Sequence, residues 1–435
     1  MLKAIINTTL YDFNHYMENA FVVFDSEIRE VGIMHDFIDC GYEIIDGEKQ
    51  LLMPGLVCGH THLYSAFARG MSVPFHPDNF QDILDQLWWK LDRHLDMNMV
   101  HDSGLVFALD FLKNGITTLI DHHASGKDIL GTLTALKRAV TQEVGLRGVF
   151  AFETSDRFDI AQCIEENTAF IKENHSAFSR GLFGLHASSS LSDETLAKVK
   201  KVLEENPIHV HVAESTLDEE ISCKKYQKPI IHRLVDHGLL TPNSLLAHAI
   251  HVNHEELDLI QKHKAVIVVN FSSNMNNSVG LPSLKRFREH GIKVIIGNDG
   301  ISSSMTTEYL MAYYASHHLD QTPNLFGLED LKKIINDTYQ YASDLLQIKL
   351  GKIEPSYQAD LLLVPYQPPT PMDKNNAFGH LFFGLFNSFK PQHVFINGVQ
   401  KINQYQSDQK LEDAYQKTTS SAIKLWEKIQ KEVKP

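Results

Sequence analysis

A chain of 435 residues can bury an enzyme-sized core in two or three structural parts, which excludes a peptide hormone or a small binding module. Its 40 Lys and Arg against 54 Asp and Glu leave a net charge of −14, and no run of five like charges occurs. Neither a nucleic-acid partner nor a membrane-docking face is expected, and the expected partners are small molecules.

From the N-terminus, MLKAIINTTLYDF breaks its apolar stretch with Asn, Thr and Asp before a signal-peptide core forms. No apolar run in the chain reaches the roughly 18 residues that cross a bilayer, so a cytoplasmic location is expected. Residues 1–53 alternate short apolar runs with turn signals. Asp46-Gly47, between two strand-like runs, predicts a type I′ hairpin in a small antiparallel sheet. Two-residue periodicity returns at 358–364 and 393–399, where Asn397-Gly398 marks a second tight hairpin. The chain ends, 1–53 and 354–405, are therefore expected to build one small β-sandwich domain.

Between them, over 54–353, eight short apolar runs are each followed by a helical stretch: LMPGLVCGH, GITTLIDH, LRGVFAFE, LFGLHAS, IHVHVAE, SLLAHAI, KAVIVVN and KVIIGNDG. Eight such β-α units close a (β/α)8 TIM barrel, an α/β architecture. A doubly wound sheet would show a Gly-rich phosphate turn after its first strand, and GHTHLYSAFARG is no such turn. Residues 406–435 read as a closing helix in which Trp426 is a packing residue. The four cysteines, Cys40, Cys58, Cys163 and Cys223, are far apart and suggest neither disulfides nor a zinc ribbon.

Histidine is abundant, 24 residues, and several fall where the apolar runs end. Strand alternation points His60 and His62 together into the barrel mouth. The fifth run ends in His211-Val212-Ala213-Glu214, the sixth carries His248, and the eighth ends in Gly297-Asn298-Asp299-Gly300. Ionisable residues at the C-terminal ends of several barrel strands make a barrel active site. Three imidazoles and a carboxylate suit a borderline divalent ion with a position left for water. The best ligand set is His60, His62, His211 and Asp299, and Glu214 and His248 remain beside the metal without having to bind it. His209 lies one layer deeper on the same face and is expected to be a buried, hydrogen-bonded imidazole.

Together, PGLVCGHTHLYSAFARG, HVAE, LLAHAIH and GNDG resemble the amidohydrolase superfamily, in its branch of mononuclear deaminases and chlorohydrolases. LWWKLDRHLD, DHHAS and SSNMNN are most similar to the SsnA-type aminohydrolases. The resemblance implies a metal at His60, His62, His211 and Asp299, with Glu214 as proton shuttle and His248 orienting the substrate. Members with two metals use a carboxylated lysine after the fourth strand; GLHASS offers none, so one divalent ion per chain is expected. Zinc is the first expectation, with Fe2+ and Mn2+ as alternatives. The resemblance also places His186 and Asn274 against the substrate.

Other residues near these motifs have two readings each. Arg69 either binds an anionic group or pairs with a nearby acid. Trp88 and Trp89 are adjacent in the insertion after the first strand and point to different sides of a helix, so at most one of them is expected to reach a planar substrate, core packing being the other reading. Strand alternation likewise directs one of His122 and His123 inward. The expected reaction releases ammonia from an amino-substituted N-heterocycle of purine, pterin or pyrimidine type. In it Asp299 takes a proton from a metal-activated water, Glu214 protonates the ring nitrogen and then the leaving amine, and His248 stabilises the tetrahedral centre. Ring-opening hydrolysis of a cyclic amide is the alternative of the same chemistry, and a non-catalytic metal-binding scaffold the alternative of another class. A homodimer is compatible with this reading.

Overall fold

The computed structural model describes residues 2–433. Eight parallel strands form the barrel: Leu56–Thr61, Ile116–His123, Arg147–Phe152, Phe183–Ala187, Ile208–Val212, Leu245–His248, Val266–Val269 and Lys293–Ile296. Almost every residue in them is buried. This is why they appear in the sequence as continuous apolar runs and not as alternating ones.

The ladder is continuous through two irregular seams. Between the third and fourth strands, Leu182 N donates to Phe150 O, Thr154 N to Gly184 O and His186 N to Thr154 O. Between the eighth and first, Asn298 N donates to His60 O at 2.9 Å. Glycine is required there, because a Cβ on Gly297 would lie 2.6 Å from the backbone N and O of His60. The close passage brings Asp299 up to His60 and His62.

The chain ends share one eight-stranded sheet in the order Val399–Ile402, His393–Ile396, Leu361–Val364, Leu51–Pro54, Lys3–Tyr11, Tyr16–Phe24, Ile28–Ile33, with Glu43–Asp46 also on Lys3–Tyr11. Leu51–Pro54 is the joint between the N-terminal and C-terminal strands. The sheet bends over itself into a sandwich: Phe24 and Phe395, with three strands between them in the ladder, meet edge to face at 5.7 Å. They share a core with Leu10, Leu52, Leu361 and Leu363.

Asn397 and Gly398, at φ of 52° and 72°, form the second expected hairpin. The Asp46-Gly47 hairpin does not form. Glu43–Asp46 and Leu51–Pro54 both run parallel to Lys3–Tyr11, so the strip is mixed where an antiparallel one was expected. The chain detours at 47–50 with Glu48 and Lys49 left-handed, opposite a bulge at Asn7 (φ 57°), and resumes along the same neighbour. A nonlocal partner thus overrides a local turn signal.

The Gln409–Val433 helix packs on the barrel insertion, where Trp426 Nε1 donates to Phe67 O at 2.7 Å. Among the described residues no helix is long and apolar enough to cross a membrane, and the four cysteines are free.

Candidate active site

At the C-terminal mouth of the barrel three imidazoles and one carboxylate converge. His60 Nε2 and His62 Nε2 lie 2.9 and 3.0 Å from Asp299 Oδ1, and His62 Nε2 lies 3.2 Å from His211 Nε2. The far ring nitrogens are all engaged. His62 Nδ1 donates to the His122 carbonyl at 2.5 Å and His211 Nδ1 to the His186 carbonyl at 2.9 Å. A carbonyl can only accept, so both rings carry their proton on Nδ1 and turn the Nε2 lone pair to the common point. His60 Nδ1 pairs with His209 Nε2 at 2.8 Å, the deeper imidazole expected from strand alternation.

The donor set fits a divalent ion. The four atoms lie within 4.8 Å of one another. Metal–ligand bonds of about 2.0–2.2 Å would separate neighbouring tetrahedral ligands by roughly 3.3–3.5 Å, close to the distances seen. Burial opposes a charge on His62, but the hydrogen bond and charge of Asp299 raise its pKa to about 9, so the pair holds a proton where a cation would replace it. Among the described residues the cavity wall contains no lysine.

Glu214 and His248 stand beside this cluster. Burial, reinforced by the charge of Asp299, raises the Glu214 carboxyl well above its ordinary range. His248 Nε2 lies 3.5 Å from Glu214 Oε2 and 3.8 Å from Asp299 Oδ1. Burial pushes the His248 ring down to about 4, so it is neutral. Asn274 Nδ2 donates to His248 Nδ1 at 2.8 Å, which leaves the His248 proton on Nε2, aimed at the two carboxylates. His248 and Asp299 have φ of 72° and 56°, left-handed turns just past their strands that swing both side chains inward.

The cavity over these groups is lined by Tyr64, Phe80, Leu84, Trp88, Trp89, Asp92, Glu153, His186, Leu217, Ile221, Ser273, Asn277 and Ile301, besides His62, His211, Glu214 and Asp299. His186 therefore faces the cavity, as expected. Trp88 and Trp89 both face it, where at most one was expected, because the cavity wraps around the widened turn Leu84–Trp88.

Four expected contacts are corrected. Arg69 points away, paired with Asp110 and lying 4.6 Å over the Phe107 ring, the alternative of pairing with an acid. His122 does point into the barrel but one layer too deep, stacked on His209 at 4.2 Å beneath His62 and His211. His123 points to the outer face and meets Ser125 Oγ at 3.0 Å. Asn274 is behind His248: in the helical turn Phe271–Asn276 the cavity-facing pair is Ser273 and Asn277, four residues apart, and position 274 turns aside.

Glu153 was missed. It ends the third apolar run at the catalytic end of its strand, and burial pushes its carboxyl up to about 7. A lone acid closing LRGVFAFE was the available signal.

Known proteins share the family and the fold of this chain. The model of the amidohydrolase family matches residues 51–401. A 5-methylthioadenosine/S-adenosylhomocysteine deaminase of Lawsonia intracellularis is 28% identical over 364 residues, covering 82% of this chain and 80% of that protein. A 5′-deoxyadenosine deaminase of Methanocaldococcus jannaschii is 26% identical over 368 residues, covering 82% and 84%. In fold, the chain is similar to an adenosine deaminase from Xanthomonas campestris with bound zinc (TM-score 0.82, 18% identity, 98% of each chain covered). It is also similar to a guanine deaminase from C. acetobutylicum with bound guanine (TM-score 0.77, 17% identity, 92% and 100% covered).

Proposed function

The chain belongs to the amidohydrolase family, and from that premise we propose that it is a metal-dependent hydrolase that releases ammonia from an amino-substituted N-heterocycle of purine, pterin or pyrimidine type. The observation that carries this is the placing of an acid with a raised pKa, Glu214, and a neutral His248 beside a convergent His60, His62, His211 and Asp299 set. A scaffold that only held metal would not need the first two. The naming of sequence relatives for the deamination of adenosine derivatives supports the same class of reaction.

His60, His62, His211 and Asp299 would hold one divalent ion, zinc first, with Fe2+ or Mn2+ as alternatives. When bound, such an ion would lower the pKa of a water toward about 7 and so supply the nucleophile. The chain's own groups do the rest. Asp299 is the base that takes the water's proton. Glu214, protonated, donates to the ring nitrogen beside the reacting carbon and makes that carbon electrophilic. His248 Nε2–H hydrogen-bonds the oxygen as the carbon becomes tetrahedral, a contact stronger in the transition state than in the ground state. Glu214, now a carboxylate, takes the hydroxyl proton of the tetrahedral centre as the C=O forms and passes it to the amine, the C–N bond breaks and ammonia leaves, and the proton held by Asp299 restores Glu214 to its acid form. Trp88 and Trp89 provide flat apolar faces for a planar ring.

The test is a screen of metal-loaded protein over amino-purines, amino-pterins and amino-pyrimidines with ammonia as the readout. Ammonia from at least one of them, abolished by chelation and restored by the divalent ion, is the expected result. Silence across the panel with the metal in place would overturn the proposal.

A further inference from the structure

The short helical turn Phe271–Asn276, after the seventh strand, reaches three of the groups that the proposed chemistry uses. Ser273 Oγ donates to Asp299 Oδ2 at 2.6 Å, and Asn274 Nδ2 donates to His248 Nδ1 at 2.8 Å. Asn277, just past the turn, donates to Ser273 Oγ at 3.2 Å and lines the cavity together with Glu214. Successive helical residues point about 100° apart, so the contacts to Asp299 and His248 leave the turn in different directions. A rotation of the turn about its axis disturbs both at once.

Six residues are too few to hold a helical turn in place on their own, and the usual device at its start is missing. Asn270 occupies the position before the turn, where an Asn side chain is favoured as a cap, yet its side chain makes no capping hydrogen bond. Ser272 N donates instead to Glu308 Oε2 at 3.2 Å. Glu308 belongs to a different helix, Met305–Asp320, and has no exposed surface. Burial pushes its carboxyl up to about 7. A side chain needed only to fill this space would be apolar, because burying an acid costs free energy that an apolar group of the same size avoids. The acid gives the turn the cap that its own sequence does not supply, and a carboxyl group is suited to the N-terminal end of a helix. Glu308 itself lies outside the cavity wall, so whatever it does for the site it does through the turn.

Resting on the metal-dependent deamination reading, we propose that Glu308 is a positioning residue: it caps Ser272 N–H, fixes the rotation of the turn, and through Ser273 and Asn274 sets the orientation of the Asp299 carboxylate and the tautomer of His248.

Three variants test this. Glu308→Met fills the same space without an acceptor, Glu308→Gln keeps an acceptor for Ser272 N, and Glu308→Asp withdraws it by one carbon. Each is measured for Zn2+ affinity by competition with a chromophoric chelator and, loaded with Co2+, for the visible absorption of the ion, which reports its ligand geometry. Glu308→Met is expected to bind zinc roughly 10- to 100-fold more weakly, the range for losing a group that orients a ligand, with an altered cobalt spectrum. Glu308→Gln should restore most of both, and Glu308→Asp should fall between. Joined to Ser273→Ala, Glu308→Met should cost no more than the larger of the two single losses, because both act on the same carboxylate. Should Glu308→Met fail to fold, Glu308→Asp takes its place in each comparison. Unchanged zinc affinity and cobalt spectrum in Glu308→Met, even with a lowered thermal midpoint, would overturn the proposal. So would a Glu308→Gln protein as impaired as Glu308→Met, or losses that multiply in the double variant. These readouts need no substrate, which separates the two readings. Weakened zinc binding in Glu308→Met, with no ammonia from any heterocycle given to wild type, removes deamination and leaves the positioning role. Ammonia from wild type, with zinc binding and cobalt spectrum indifferent to position 308, removes the positioning role and leaves deamination.

Discussion

Ser273 Oγ donates to Asp299 Oδ2 at 2.6 Å, while Asp299 Oδ1 faces His60 and His62. The two oxygens of one carboxylate thus have separate partners. Asn277 Nδ2 donates to Ser273 Oγ at 3.2 Å, so the hydroxyl is oriented to give its own proton to Asp299. A donor on Oδ2 fixes the rotation of the carboxylate and keeps Oδ1 on the histidine side.

Removing that donor should loosen the site without dismantling it. Ser273→Ala is expected to lower metal affinity or turnover by roughly 10- to 100-fold, the usual effect of losing a group that orients a ligand, and Ser273→Thr should restore most of it. Competition with a chromophoric chelator and initial rates are the measurements.

Glu214 and His211 should fail differently. Glu214→Gln keeps the shape of the acid but loses its proton, so metal content should match wild type while turnover falls by roughly 10² to 10⁴. His211→Ala removes a ligand and should lose metal and activity together. Elemental analysis of the two variants beside their rates distinguishes the roles.

The pH profile follows from the direction of the Glu214 shift. Burial and the charge of Asp299 raise its pKa, so the proton needed by the ring nitrogen is retained to higher pH than on an ordinary carboxyl. Activity is present below that raised pKa and is lost as pH rises through it. An alkaline limb is therefore expected in kcat/KM for wild type, and the residual activity of Glu214→Gln should lack it.

These expectations were legible in the sequence to different depths. The eight strands could be read because parallel barrel strands are buried on both faces and leave apolar runs. The His60, His62, His211, Glu214, His248 and Asp299 group could be read because strand ends at one mouth are forced together by the fold. Helix phase was not legible. Only the packing of Phe271–Asn276 decides that Ser273 and Asn277 face the cavity and Asn274 the back of His248. The depth of His122 was hidden for a related reason: alternation tells inward from outward but not which layer of the barrel a side chain occupies. Asp46-Gly47 misled because the competing partner, Lys3–Tyr11, is distant in sequence.

The barrel and the sheet are joined by a buried ion pair. Arg147, fully buried at the start of the third strand, makes two hydrogen bonds to Asp360 at 2.8 and 3.0 Å, and a third to the Ala177 carbonyl at 2.8 Å. Arg147→Ala leaves Asp360 buried and unpaired and should destabilise by about 3–5 kcal/mol. Arg147→Ala with Asp360→Asn should recover part of that loss, as thermal or urea unfolding will show.

Ammonia stoichiometry with product mass, measured on metal-loaded protein and the best heterocycle of the screen, tests deamination most directly. One ammonia per product, and a product about one mass unit heavier than the substrate because an amine has been exchanged for oxygen, is the predicted result. A product heavier by one water, about 18 mass units, with no ammonia released would contradict it and assign ring opening to the same metal ligands and Glu214.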